Sequence, residues 1–176
     1  VNMLKKLLPL FGEEPSQLIF CLEEGGRTDE GAEGLHALRK KYWQYAIPAI
    51  REATGTFTYC GNTVSNEVSG LTAMTGVRPV CVANLESAMV KIYIDMGDRQ
   101  KNKDLFDRLF AHKAEVEAAY GGALTWNKSE ETRASQITDK RKDIGISTEE
   151  NWPLIARFHA VQMGKLLLAV QTYLTE

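Results

Sequence analysis

Residues 88–98 read AMVKIYIDMGD, and the folding of this stretch decides the rest of the chain. Ala88, Val90, Ile92 and Ile94 alternate with Met89, Lys91, Tyr93 and Asp95, the period of a strand with one apolar and one wet face. Gly97 then supplies a turn, and Asp98 stands where a helix needs an N-cap. Upstream, Thr56 to Cys60 and Arg78 to Asn84 are also rich in β-formers. Gly61-Asn62, the loop through Gly70 and Gly76, and Glu86-Ser87 separate these runs, which are predicted as three antiparallel strands.

Helical spacing governs the flanks. Leu35, Leu38, Tyr42, Tyr45, Ala49 and Ala53 share one helical face, predicting a helix from Leu35 to Ala53 with Pro48 bending its last turns. Leu105, Phe106, Leu109, Phe110, Val116 and Tyr120 form the stripe of a second helix, Asn102 to Tyr120, stopped by Gly121-Gly122. Leu124 to Asn127 and Arg133 to Thr138 read as two further strands. Trp152, Ile155, Phe158, Met163, Leu166, Val170 and Tyr173 outline a final helix to Leu174, with Pro153 in its first turn. The expected class is α+β, in the order α-β-β-β-α-β-β-α. About five antiparallel strands pack against helices lying mainly on one face.

A chain of 176 residues suffices for one core and is too short for two ordinary domains. Residues 1–33 carry three basic and seven acidic side chains, so they read as an N-terminal extension with an acidic linker. Within them Met3 to Phe11 suggests a short helix, Leu18 to Leu22 a short strand, and Glu23 to Gly34 the linker itself. Residues 34–176 form the domain. No apolar run of about 18 residues is present, so no membrane partner is expected. Cys21, Cys60 and Cys81 are odd in number and far apart, which fits a reducing, cytoplasmic setting better than a disulfide framework. The N-terminus lacks a secretory cleavage pattern, and a first residue of Val suggests an excised or processed end.

The marks Tyr42-Trp43, Arg51-Glu52, Thr54-Gly55, Tyr93-Ile94-Asp95-Met96-Gly97-Asp98, Asn102-Lys103, Phe106 and Lys113 follow one another through the first half of the domain. Tyr120-Gly121-Gly122, Leu124, Trp126, Arg133-Ala134-Ser135, Ile137 and Trp152-Pro153 continue the series. In this succession the chain resembles domain-of-unknown-function family 4268 from about Leu35 to Leu174. The resemblance implies a bacterial domain often placed behind nuclease-like regions, and it assigns no chemistry to any residue.

No catalytic motif stands out. Asp95 and Asp98, with Asn102 nearby, are candidate ligands for a hard divalent ion, but turn formation and helix capping account for both, and no cofactor is expected. Lys91 with these two carboxylates is the set a metal-dependent nuclease would use, although Met89 stands where a carboxylate is wanted. His36, His112 and His159 have no helical zinc spacing, and the loop from Ser69-Gly70 to Thr75-Gly76 lacks a phosphate-gripping Gly-Lys-Ser/Thr. Two basic clusters remain. The helix after Gly97 has internal partners at four-residue spacing, whereas Arg133, Lys140, Arg141 and Lys142 are less neutralised and are the candidate DNA contacts. The favoured reading is a non-catalytic, DNA-associated or regulatory module of a restriction-type system. A metal-dependent nuclease domain and a dimerisation domain using the final helix stand as alternatives. DNA, an upstream nuclease-like region or a homodimer are the corresponding partners.

Overall fold

In a computed structural model of the chain, residues 29–58 and 62–174 are described. Helix α1 (Asp29–Thr54) is followed by strands β1 (Glu67–Ser69), β2 (Val77–Ala83) and β3 (Ala88–Ile94). Helices α2 (Arg99–Ala111) and α3 (Lys113–Tyr120) come next, then β4 (Thr125–Asn127) and β5 (Ser135–Arg141). A 3-10 turn, Glu149–Asn151, leads into α4 (Trp152–Gln171), with Pro153 in its first turn. The sheet has five strands in the order β1-β2-β3-β5-β4, every pair antiparallel. The α+β class and element order thus agree with the sequence reading, and no helix among the described residues is long and apolar enough to cross a membrane.

Ala88, Val90, Ile92 and Ile94 are each fully buried, so the alternating stretch does turn its apolar side to the core. Its ladder partners put Val77, Pro79, Cys81 and Ala83 of β2 and Ser135, Ile137, Asp139 and Arg141 of β5 on that same face. All the described helices lie there. Phe106 and Phe110 of α2 meet Trp126 edge-on at 5.9 and 5.5 Å, Tyr120 of α3 donates a hydrogen bond to Asp139, and α4 reaches the Val82 carbonyl through His159. Helices α1 and α4 run side by side in the same direction. Tyr42 meets Trp152, Trp43 stacks on His159 at 5.7 Å, and a Cβ on Gly164 would come within 3.3 Å of the Ala53 carbonyl oxygen.

Four expectations are corrected. The segment Thr56 to Thr58 is not strand, although its β-branched residues mimic one. Phe57 is buried in the left-handed region at φ 65°, which no pleated strand admits, and Tyr59 and Cys60 lie outside the described residues. Thr56 Oγ1 instead accepts from the Leu71 amide at 2.7 Å and donates to its carbonyl at 3.2 Å. That brace supports β1, which forms in the stretch read as a loop.

The second helix is split at His112, whose backbone leaves helical geometry at ψ 24°. The fifth strand runs to Arg141, because the ladder follows β3 along its whole length and sets Lys140 opposite Met89 and Arg141 opposite Ala88. Lys140 and Arg141, which lay beyond the expected strand end at Thr138, therefore belong to the strand. Helix α1 begins at Asp29, so the last residues of the expected linker are helical. The expected short helix Met3 to Phe11 and strand Leu18 to Leu22 lie outside the described residues.

A candidate nucleic-acid interface and the polar clasp beside it

The turn that follows β3 is held from three sides. Asp98 caps α2 by accepting from the Lys101 amide at 2.9 Å. Asp95 accepts from Arg133 Nε and an Arg133 terminal nitrogen, each at 2.8 Å, and from the Gly97 amide at 3.2 Å. Arg133 is the main reason the Asp95 carboxyl is held below its usual range. Asn102 is fully buried; its side-chain oxygen accepts from the Met96 amide at 2.8 Å and its nitrogen donates to the Arg133 carbonyl at 3.0 Å.

Lys103 goes further and buries its ammonium among neutral acceptors. It donates to the carbonyls of Lys128, of Ser129 at 2.7 Å and of Ala134 at 3.0 Å, and to Ser135 Oγ at 3.1 Å. Burial, with nearby Arg99, lowers its pKa. The marks Asp95, Asn102, Lys103, Arg133 and Ser135 therefore form a clasp that fastens the β3–α2 turn to the loop before β5.

The weighed nuclease set is not gathered. Lys91 lies four residues up the strand from Asp95, roughly 13 Å away at strand rise, and its Nζ is bonded to Glu67 at 3.0 Å. Among the described residues no group of three or more His, Cys, Asp or Glu could hold a metal ion. Cys81 is buried in the core. His159 is also fully buried: Nε2 donates to the Val82 carbonyl at 3.0 Å, which leaves Nδ1 to accept from the Tyr42 hydroxyl at 2.9 Å. Burial brings its pKa down to about 4.

The proposed DNA contacts are divided between the two ends of β5. Arg133 precedes the strand and is paired with Asp95, yet 57% of its side chain stays exposed. Lys140 is in the strand and exposed, Arg141 is paired with Asp143, and Lys142 is exposed just beyond. What joins the two ends is the sheet face turned away from the helices.

Register places Glu67, Val82, Met89 and Lys140 in one row of that face. Ser69, Val80, Lys91, Thr138 and Thr125 form the next, and Arg78, Tyr93, Gln136 and Asn127 the third. Lys140, Lys91 and Arg78 thus step diagonally across it, each about 7 Å from the next by ladder geometry. Arg78 and Lys91 both sit 5.5 Å from the Tyr93 ring. Glu67 is the single carboxylate in these rows, so the face carries an excess of positive charge. Arg78 and Tyr93 escaped the sequence reading because the alternation gives each strand's faces but not the register that lines them up.

The fold and this surface define a class: an α+β domain with every described helix on one side of an antiparallel sheet and, on the other, a face whose exposed rim carries Arg78 and Lys140 and whose centre, with Val80, Val82 and Thr138, is buried. The chain belongs to the family described as "Domain of unknown function (DUF4268)", whose model matches residues 38–174. No curated protein and no solved structure matches the chain.

Proposed function

We propose that the domain is a non-catalytic binding module that contacts the backbone of single-stranded DNA along the rim of the sheet face turned away from the helices, where Arg78 and Lys140 are exposed and Lys91, 13% exposed, lies between them. The observation that carries this reading is the diagonal of Arg78, Lys91 and Lys140 around Tyr93, opposed by one carboxylate. A broad sheet offers phosphate-binding cations and an aromatic ring side by side, which suits a strand whose bases are not paired. Arg133 and Lys142 flank the two ends of β5, beside that diagonal. Among the described residues, Asp95 and Lys103 are engaged in the clasp and Cys81 and His159 in the core. In this reading the domain would stand beside a nuclease-like region of a bacterial restriction-type system and hold DNA that another region cuts.

Fluorescence anisotropy with a labelled single-stranded oligonucleotide tests the reading. The parent chain should bind weakly, with little preference for sequence and no need for magnesium, and Arg78→Ala/Lys91→Ala/Lys140→Ala should bind much more weakly. Absence of binding by the parent at low salt, or equal binding by the variant, would overturn it.

A second reading, self-association through α4, is favoured by one specific feature. Leu154, Val161 and Leu168 recur every seven residues on the outer side of that helix and are 49%, 42% and 66% exposed. Sedimentation of the parent beside Val161→Glu tests it, and a concentration-independent monomer mass for the parent would remove it.

A further inference from the structure

Helices α1 and α4 differ in the surface they turn outward. On α4, Leu154, Val161 and Leu168 stand up as a ridge, whereas on α1 the outer surface is low, with Pro48, Ala49 and Ala53 all exposed. Between the two helices lies an open hollow, lined by Pro48, Ala49 and Glu52 on one side and by Ala160 and Val161 on the other. Glu52 and Lys165 are exposed, and neither bonds another group among the described residues. The surface thus has a ridge, a trough and one free charge of each sign.

Because the helices run in the same direction, residues on them can be matched by level. Gly164 packs on the Ala53 carbonyl, and the Trp152 ring meets Tyr42 at 5.5 Å and Tyr45 at 6.0 Å. By these contacts Leu154 stands level with Tyr45, Val161 with Ala49 and Lys165 with Glu52, each to within about one helical turn. A two-fold axis parallel to both helices keeps every level and exchanges α1 with α4. We infer, on the self-association reading, that two copies pair about such an axis, the α4 ridge of each lying along α1 of the other. Val161 then enters over the partner's Ala49, Leu154 reaches the partner's Tyr45, and Lys165 pairs with the partner's Glu52. The symmetry makes each of these contacts twice. Large apolar groups set against a row of small ones let the helices approach closely. An antiparallel pairing of α4 with itself about Val161 would instead bring Arg157 against Lys165, like against like, since each stands four residues from Val161. The far sheet face of each copy stays uncovered, so pairing and nucleic-acid contact are compatible.

Sedimentation equilibrium of the whole chain at low salt tests the pairing by charge reversal. The parent should form a dimer. Glu52→Lys and Lys165→Glu each set two like-charged pairs across the interface, and each should raise the dissociation constant about tenfold. Glu52→Lys/Lys165→Glu together restores opposite charges and should return the constant to within about threefold of the parent's. Both side chains are exposed and unpaired, so the reversals do not disturb the fold. Ala49→Arg, which fills the trough at another exposed position, should abolish the dimer. A parent dimer that neither single reversal weakens, that the double variant fails to recover, or that Ala49→Arg leaves as tight as before would overturn this pairing and leave self-association through α4 to another geometry. A parent that stays monomeric at every concentration would remove both.

Discussion

His159 is sealed between Tyr42, Trp43 and the Val82 carbonyl, and its neutral ring is part of the core. Its folded pKa of about 4 lies below the unfolded value of about 6.5. Between those two values the unfolded chain binds the extra proton, so stability from this group is complete above pH 6.5 and falls as the pH drops toward 4. The loss amounts to roughly 3 kcal/mol once both states are protonated. Urea titrations between pH 4 and 7 should show this dependence in the parent and a flatter one in His159→Gln; parallel curves would contradict it. Lys103 presents the opposite case, a buried cation stabilised by carbonyls. Lys103→Met keeps the length but orphans the Ser129 and Ala134 carbonyls, and should cost about 2–4 kcal/mol by denaturant titration. A cost below about 0.5 kcal/mol would place the ammonium outside the clasp. Asn102-Lys103 stands out in the sequence among the marks that carry the family resemblance, but its role is not legible there. The carbonyls it serves belong to residues about 30 positions away.

At the level of elements, strict alternation and helical stripes were easy to read, and exceptions arose where tertiary contacts overrode local pattern. Strand β3 and the helices α2 and α4 follow the apolar period because each has one face to bury. Leu109 on α2 is fully buried, so Leu109→Ala should destabilise by about 2–5 kcal/mol. Equilibrium unfolding would check this, and a change under about 0.5 kcal/mol would put the stripe outside the core. The helix break at His112 has no glycine or proline to announce it. Strand β1 is three residues long and depends on the Thr56 brace and the approach of Gly70, where a Cβ would meet Thr56 Oγ1 at 2.7 Å. Local propensity carries no trace of that support. Strand β5 likewise continues through Asp139, Lys140 and Arg141 because β3 offers a partner for each, though charged residues are poor strand formers.

For the whole molecule, the question is which surface remains for a partner once the fold has used its polar residues. The sequence singles out Arg133 and Lys140 to Lys142 as one cluster, and the sheet separates them and inserts Arg78, Lys91 and Tyr93 between. Antiparallel register, invisible in any single strand, brings Arg78, Lys91, Tyr93 and Lys140 to one face and turns Arg141 to the other. The claim that this face meets a nucleic-acid backbone is electrostatic at root and therefore dictates a salt dependence. Each phosphate contact on a single strand contributes about 0.7 to the slope of log affinity against log salt. The most direct measurement is that slope, taken by anisotropy for the parent and for Arg78→Ala/Lys91→Ala/Lys140→Ala over several salt concentrations. The account predicts that the variant's slope is shallower by about 2, three contacts having been removed. An unchanged slope in the variant would contradict it.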